Sequence, residues 1–366
     1  MLQLPGRQDA SPRLPALWTL QRQRGNLSQM EKAKMRVAVD AMGGDDAPQT
    51  IIEGVRLFRQ EDQHTEILLV GRRDALEETC ADLNVTVVDA PSVVGMHESA
   101  STALKTRKDS SIAVATGLMK AKQADALLTM GNSGAAVAFA MFVLGRMPNI
   151  SKPAIVAPFP SGNKTGVTHV LDCGATVDCK PSHLLQFALM GSAYCKYAYK
   201  VESPRIGLLS IGEEESKGNE LTLATSKLLR ESPLNFIGNV EGVDIMRGGA
   251  DVVVCDGFIG NVILKFGEGL VETFFKALTL ETDEVLGSDI NAEDRRTFLN
   301  ETMQRVDYSA YGGAELLGVN GHLLIGHGRS AAHAIANGIR SARNVAERCP
   351  LNKIQQALEA VQVSPA

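Results

Sequence analysis

Five times along this chain an apolar run stops at a small, polar, Gly-containing turn and a helical pattern follows. The five stretches are Arg36 to Pro48, Ala126 to Gly134, Arg205 to Asn219, Asp251 to Asn261 and His322 to Ser330. Apolar runs of this kind, buried on both faces, are the mark of parallel strands. In an open parallel sheet the strand-to-helix loops share one edge, and ligands bind there. The pattern therefore predicts an α/β fold with one cleft, lined by Gly, Asn, Asp, Lys and Ser. Helix N-termini aimed into such a cleft suit an anion, phosphate above all.

With 366 residues the chain has room for one large α/β domain or two smaller ones. A formal charge of −5, with no basic run carrying interleaved aromatics, argues against nucleic acid as a partner. No apolar stretch is long and charge-free enough to span a bilayer. The six cysteines form no Cys-x-x-Cys pair, and the spacing of Cys173 and Cys179 matches no common zinc pattern. Free thiols in a reducing cytoplasm, with no metal site, follow from that. Residues 1–34 hold Pro5, Pro12, Pro15, scattered Arg and Gln, and Trp18. They read as a disordered N-terminal extension, or a start site assigned too early; a docking peptide around Leu14, Leu17, Trp18 and Leu20 is the alternative.

Beyond the first strand, Asp46 reads as an N-cap with Gln49 as its capping-box partner. Further strands are expected at 67–71, 86–89, 126–129, 154–158, 169–172, 205–210, 236–238, 251–255 and 323–325. Helices are expected at 74–83, 111–122, 135–144, 181–199 and 219–231, in a long element from Asn261, and at 330–347. No fixed-period repeat and no Pro/Ser linker interrupts residues 35–350, which suggests two lobes sharing one sheet, followed by a C-terminal tail over 351–366. Residues 265–306 break the rhythm with two helical stretches and no strand, an expected αα-hairpin. Its large side chains, Phe274 and Leu278 among them, call for a partner: the domain body, a second subunit or a membrane surface.

Several loop residues could carry chemistry. Gly131-Asn132-Ser133-Gly134 offers backbone N–H groups, a carboxamide and a hydroxyl for phosphate or a developing oxyanion; the competing reading is a plain helix cap. Lys217, beside Gly218 and Asn219, can pair with a phosphate, although three glutamates precede it and a solvated loop lysine is the alternative. Asp256 and Asn261, and likewise Asp172, follow strongly apolar strands at an edge where sites form, or else cap helices. His327 and Arg329 stand at the last strand-to-helix turn, and an Arg at a helix N-terminus is unfavourable unless an anion lies nearby. Gly43 and Gly44 allow close backbone approach, but the adjacent Asp45 and Asp46 would repel a phosphate dianion. Either the glycine backbone alone meets the ligand, or these carboxylates cap or bind a second ligand's donors.

No Gly-x-Ser-x-Gly, P-loop or post-strand Gly-x-Gly-x-x-Gly motif occurs. The chain from Met35 to about Arg348 instead resembles the PlsX family, the acyl-carrier-protein:phosphate acyltransferases of bacterial phospholipid synthesis. The matching stretches include Val39-Asp-Ala-Met-Gly-Gly-Asp45, Gly131-Asn-Ser-Gly-Ala135, Leu171-Asp-Cys-Gly-Ala175, Pro204 to Glu214, Lys217-Gly-Asn219, Val253 to Lys265 and Tyr311 to Gly318. Ser133 stands where the family has Thr, which keeps the hydroxyl, and Thr176 where it has Asn.

The resemblance implies a three-layer α/β/α, isocitrate/isopropylmalate-dehydrogenase-like fold without nicotinamide or other cofactor. It implies transfer of a long-chain acyl group from acyl carrier protein to inorganic phosphate. It also implies a homodimer, peripheral membrane contact, and delivery of the acyl phosphate to a membrane glycerol-3-phosphate acyltransferase. Phosphate is itself an anionic oxygen nucleophile, so no Ser or Cys nucleophile is needed. The site must hold phosphate beside a thioester and stabilise the tetrahedral oxyanion. On that reading Asn132, Ser133, Lys217, Asp256 and His327 are the catalytic candidates. Gly43, Gly44, Gly131, Gly134, Asp172, Asn219, Asn261 and Arg329 are the phosphate or substrate binders. A decarboxylating dehydrogenase of the same fold and a non-catalytic membrane or carrier-protein adaptor are the alternatives.

Overall fold

The computed structural model describes residues 34–285 and 311–359. The N-terminal extension through residue 33, the second limb of the expected hairpin and residues 360–366 lie outside the described residues. Within them, eleven strands form one continuous sheet: β1 (Arg36–Asp40), β2 (Glu66–Gly71), β3 (Thr86–Asp89), β4 (Ala126–Thr129), β5 (Ala154–Pro160), β6 (Val167–Leu171), β7 (Ile206–Leu209), β8 (Phe236–Val240), β9 (Val252–Val254), β10 (Ala314–Leu317) and β11 (His322–Ile325). Their order is β3-β2-β1-β4-β11-β10-β5-β6-β9-β7-β8.

The sheet is not parallel throughout. β11 pairs antiparallel with β10, β10 with β5, and β5 with β6, while the pairings outside this centre are parallel. Three reversals leave β6, β9, β7 and β8 running opposite to β1, β4 and β11. The loops after β1, β4 and β11 therefore leave one edge of the sheet, and those after β6, β9 and β7 leave the other. The expectation of a single loop-lined edge is corrected on this point. The centre of the reversal includes β10, a strand the apolar patterning did not reveal because Glu315 interrupts it. That carboxylate is buried and lies 2.7 Å from His322 Nδ1 on the neighbouring strand.

Alternate strand residues feed two helical layers, the period-2 consequence of the pleat. Ala38, Leu127, Ile155, Val170 and Val253 face one layer. Val156, Leu171, Val252 and Val254 face the other, as do Val37, Val39 and Leu128. The second layer is closed by α1 (Gln49–Glu61), α6 (Pro181–Tyr199), α7 (Glu220–Glu231), α10 (Ala332–Arg348) and α11 (Leu351–Glu359). The first carries α4 (Ser111–Lys120), α5 (Ser133–Phe139), α8 (Gly242–Arg247) and α9 (Gly257–Val285), with short α3 (Ala100–Thr106) toward the β3 end, while short α2 (Arg73–Leu76) buries Leu76 in the second layer. This is a three-layer α/β/α fold.

Two local readings change. The N-cap of α1 is Pro48, with no side-chain cap, so Asp46 does not play that part. The stretch read as a C-terminal tail begins with α11, whose Ile354 and Leu358, one turn apart, are buried against the cluster that α6 builds. No described helix is long and apolar enough to cross a membrane.

Candidate active site

Three loops meet at the edge reached by β1, β4 and β11. The Asp45 N–H donates to the Gly328 carbonyl at 2.8 Å. Gly44 lies against Met130 and Gly328, and a Cβ on Gly43 would stand 2.7 Å from the Gly131 nitrogen. A buried carboxylate ties these loops together from beneath. Thr129 Oγ1 donates to Asp40 Oδ2 at 2.7 Å and accepts the Gly131 N–H at 3.0 Å, while the Met42 N–H reaches Asp40 Oδ1 at 3.2 Å. Burial pushes the Asp40 carboxyl up, against its hydrogen bonds from Ser111, Thr129 and the loop backbone. Gly131 thus spends its N–H on Thr129. Ser133 and Gly134, in the first turn of α5, have N–H groups that no intrahelical acceptor can reach.

Across the central strands from this edge lies α9. A Cβ on Gly260 would come within 1.8 Å of the Asp172 carbonyl, so only glycine lets the start of α9 settle this closely on β6. The face of α9 bearing Asn261, Leu264, Lys265 and Glu268 then lines a cavity of about 380 Å³, opposite Ser133, His327 and Arg329. These positions recur at i, i+3, i+4 and i+7, one side of a helix. The floor is apolar: Ile155 and Ala157 of β5, Ala314 and Ile325.

Lys265 Nζ lies 2.8 Å from Glu268 Oε2, and the same oxygen is 3.8 Å from His327 Nε2. His327 Nδ1 accepts the Arg329 backbone N–H at 3.2 Å. In the neutral ring the hydrogen therefore sits on Nε2, facing Glu268 and the cavity. Burial, then Lys265, lowers the His327 pKa, with Arg329 adding to the effect and Glu268 and Asp45 opposing it. A neutral Nε2–H donor between a lysine and an arginine can polarise a phosphoryl or thioester oxygen, or hydrogen-bond a departing thiolate.

The structure brings together Gly131, Ser133, Asn261, His327 and Arg329 around this cavity, and Gly43, Gly44 and Gly134 adjoin it. Other candidates have structural employment. Asn132 Oδ1 caps α5 through the Ala135 N–H, and its Nδ2 donates to the carbonyls of Gly95, Met96 and Glu98. Asp256 caps α9, accepting the N–H groups of Phe258 and Ile259. Asp172 is fully buried and accepts four backbone N–H groups, from Ile155, Gly174, Ala175 and Thr176. Burial outweighs those donors and pushes its carboxyl up to about 6. It shapes the loop whose Cys173 and Gly174 line the cavity. Thr176 is buried, its hydroxyl held by the Pro153 carbonyl.

Lys217 and Asn219 lie elsewhere. Asn219 caps α7 in a reciprocal box with Thr222. Their loop follows β7, six strands from β4 in the sheet, on the order of 29 Å at about 4.8 Å per strand, and leaves the opposite edge. The neighbouring surface groove is lined by Glu213, Glu215 and Arg230, and Arg230 is already paired with Glu215 at 2.8 Å. Phe274 is exposed and Leu278 partly buried, while Phe275 between them is buried.

Sequence reasoning missed Lys265 and Glu268. The signal was present: once Asn261 is placed at the start of a helix, the helical period carries 264, 265 and 268 to the same face. Among the described residues no group of three His, Cys, Asp or Glu side chains is placed to hold a metal ion.

A family model described as "Fatty acid synthesis protein" matches residues 35–353. The phosphate acyltransferase of Pelotomaculum thermopropionicum is 45% identical over 336 residues, covering 91% of this chain and 97% of that protein. The phosphate acyltransferase of Geobacter sp. strain M21 is 50% identical over 317 residues, covering 85% and 89%.

The chain belongs to the phosphate acyltransferase family.

It is accordingly an acyltransferase. Solved structures extend the likeness at the level of fold alone. A Streptococcus pyogenes phosphotransacetylase superposes with a TM-score of 0.54 at 14% identity, covering 89% of this chain and 94% of that one. A branched-chain phosphotransacylase from Enterococcus faecalis V583 gives 0.54 at 13%, covering 86% and 99%. In this acyltransferase, Lys265 and Glu268 come from the β9–α9 segment, and His327 and Arg329 from the β11–α10 loop.

Proposed function

We propose that this chain transfers a long-chain acyl group from acyl-(acyl carrier protein) to inorganic phosphate, yielding acyl phosphate for phosphatidic acid synthesis. The observation that carries this reading is the two-sided cavity between α5 and α9. Lys265, Arg329, His327 and Ser133 offer an anion charge and hydrogen-bond donors, and Ile155, Ala157, Leu264, Ala314 and Ile325 offer an acyl chain an apolar floor. Phosphate held by Lys265 and Arg329 would face a thioester carbonyl over β5. Holding both reactants in one cleft supplies the main catalytic advantage. The donors around Ser133 and His327 Nε2 stabilise the tetrahedral oxyanion. As the carbon–sulfur bond breaks, the proton that hydrogen phosphate gives up on becoming acyl phosphate passes to the thiolate, which the His327 Nε2–H steadies by a hydrogen bond, giving free carrier thiol and acyl phosphate.

A homodimer fits the same reading. Phe258, Val262, Phe266 and Leu270 recur every fourth residue along α9, each at least 53% exposed. Such an i±4 ridge packs against a matching ridge of a second copy. Phe274 and Leu278, toward the far end of α9, are the proposed surface for peripheral membrane contact, from which acyl phosphate would pass to a membrane glycerol-3-phosphate acyltransferase. The test is phosphate-dependent release of thiol from purified acyl-(acyl carrier protein), with acyl phosphate trapped by hydroxylamine. Release that does not depend on phosphate, or no release at all, overturns the proposal.

A further inference from the structure

An anion site normally excludes carboxylates, because like charge at short range is strongly unfavourable in a partly desolvated cleft. This cavity contains one at its centre. Glu268 is only 14% exposed, bonds Lys265 Nζ at 2.8 Å, and stands 3.8 Å from His327 Nε2. Its helical position, one turn beyond Lys265 on the cavity-lining face of α9, keeps it there. An ionised carboxylate accepts hydrogen bonds and donates none. A tetrahedral dianion that enters between Lys265, His327 and Arg329 must either present a hydrogen to Glu268 or set a bare oxygen against it.

Hydrogen phosphate carries such a hydrogen. Sulfate, with the same charge and nearly the same shape, is fully deprotonated near neutral pH and does not. We propose that Glu268 is the specificity-determining residue of this site, admitting oxyanions that bring a P–OH-type donor and rejecting those that do not. The inference rests on the reading of this cavity as the phosphate site. Repulsion of the wrong ligand by a built-in acceptor is a common source of specificity. Sites built around a substrate hydrogen can discriminate by several orders of magnitude against analogues lacking it. Asp45 also lines the cavity, but it has no ion pair with Lys265 or Arg329, so Glu268 rather than Asp45 should read the ligand's hydrogen.

The experiment measures binding of phosphate, arsenate and sulfate to the full-length protein by calorimetry, without turnover. In wild type, phosphate and arsenate, which both carry a hydrogen, should bind, and sulfate should bind at least about 10-fold more weakly. In Glu268→Gln, whose carboxamide keeps an acceptor for Lys265 and gains a donor, sulfate affinity should rise at least about 10-fold and approach that of phosphate. Sulfate binding wild type as tightly as arsenate overturns the proposal, even if the variant fails to fold. So does a folded Glu268→Gln that remains as blind to sulfate as wild type, or an Asp45→Asn that opens the site instead. A chain that selects protonated oxyanions yet releases no carrier thiol would overturn the acyl-transfer reading and leave the selectivity standing.

Discussion

Gly43 and Gly131 meet backbone to backbone: a Cβ on Gly43 would lie 2.7 Å from the Gly131 nitrogen and 2.9 Å from Asp40 Oδ2. Gly43→Ala must therefore push apart a pair of loops that are locked by backbone and by a buried carboxylate, neither of which can swing aside. The expected loss of stability is roughly 1–3 kcal/mol, typical of overpacking, with a drop in turnover as Ser133 moves away from α9. Thermal melting and steady-state kinetics on the variant check it; an unchanged melting temperature would show that the loops yield freely.

Lys265 and Lys217 separate two accounts of phosphate binding. Lys265→Ala removes a cavity cation and should raise the phosphate KM by roughly 10- to 150-fold, the equivalent of a charge-assisted contact worth about 1.5–3 kcal/mol. Lys217→Ala, on the far edge of the sheet, should leave phosphate kinetics at the wild-type value. The reverse ranking would move the site to the β7–α7 loop.

Asn132→Ala should act through stability and loop order. It deletes the α5 cap and three contacts to the carbonyls of residues 95, 96 and 98. Loss of the cap alone costs about 1 kcal/mol, and the released carbonyls add to that. The measurable signature is a lower melting temperature with faster amide exchange across residues 95–98. A variant that keeps wild-type exchange but loses phosphate affinity would make Asn132 a direct ligand.

His169 gives a pH prediction with a definite sign. It is buried between the Tyr194 and Tyr199 rings, and desolvation pulls its pKa from 6.5 down to about 4. Between those values the unfolded chain binds the proton and the folded one does not, so stability falls as pH drops from about 6.5 toward 4. The full effect approaches roughly 3 kcal/mol. Asp172, raised to about 6, works in the opposite direction over about pH 4–6, since the folded state then binds the extra proton. The test is thus the difference between wild type and His169→Phe, which keeps the ring contacts. Denaturant titrations at pH 7 and 5 should show the wild type losing more stability than the variant. Parallel losses in the two proteins would rule out His169 as the acid-sensitive group.

Phe266 and Leu270 belong to the exposed α9 ridge. Replacing both with Glu should convert a dimer to a monomer, because burying two carboxylates in an apolar contact is prohibitive. Sedimentation velocity reads the outcome directly. A double variant of unchanged mass would place the subunit contact elsewhere.

Much of this molecule is legible in its residues one segment at a time. Ten of the eleven described strands and helix α6 to its ends follow from apolar periodicity and Gly-rich turns, because burial against a neighbour imposes a period of 2 or 3.6 on any chain. Direction and edge were less so. The connection from β5 to β6 spans residues 161–166, and that from β10 to β11 spans 318–321, both too short for a parallel crossover. Those lengths require antiparallel pairs, which the apolar patterning did not reveal, and β10 itself was hidden by Glu315, whose burial is tolerated because His322 on β11, two residues from its register partner Leu324, bonds it. Which loops share an edge was decided by the tertiary structure. So was whether a polar residue faces ligand or backbone: Asn132, Asp172 and Asp256 have the composition of site residues, and their acceptors are filled by backbone N–H groups, those of their own loops and, for Asp172, also that of Ile155 on β5. A residue type and a local turn determine what a side chain is able to bind. Only the packing of α9 across the central strands, made possible by Gly260, determines that Lys265 and Glu268 meet His327 and Arg329 in one cavity.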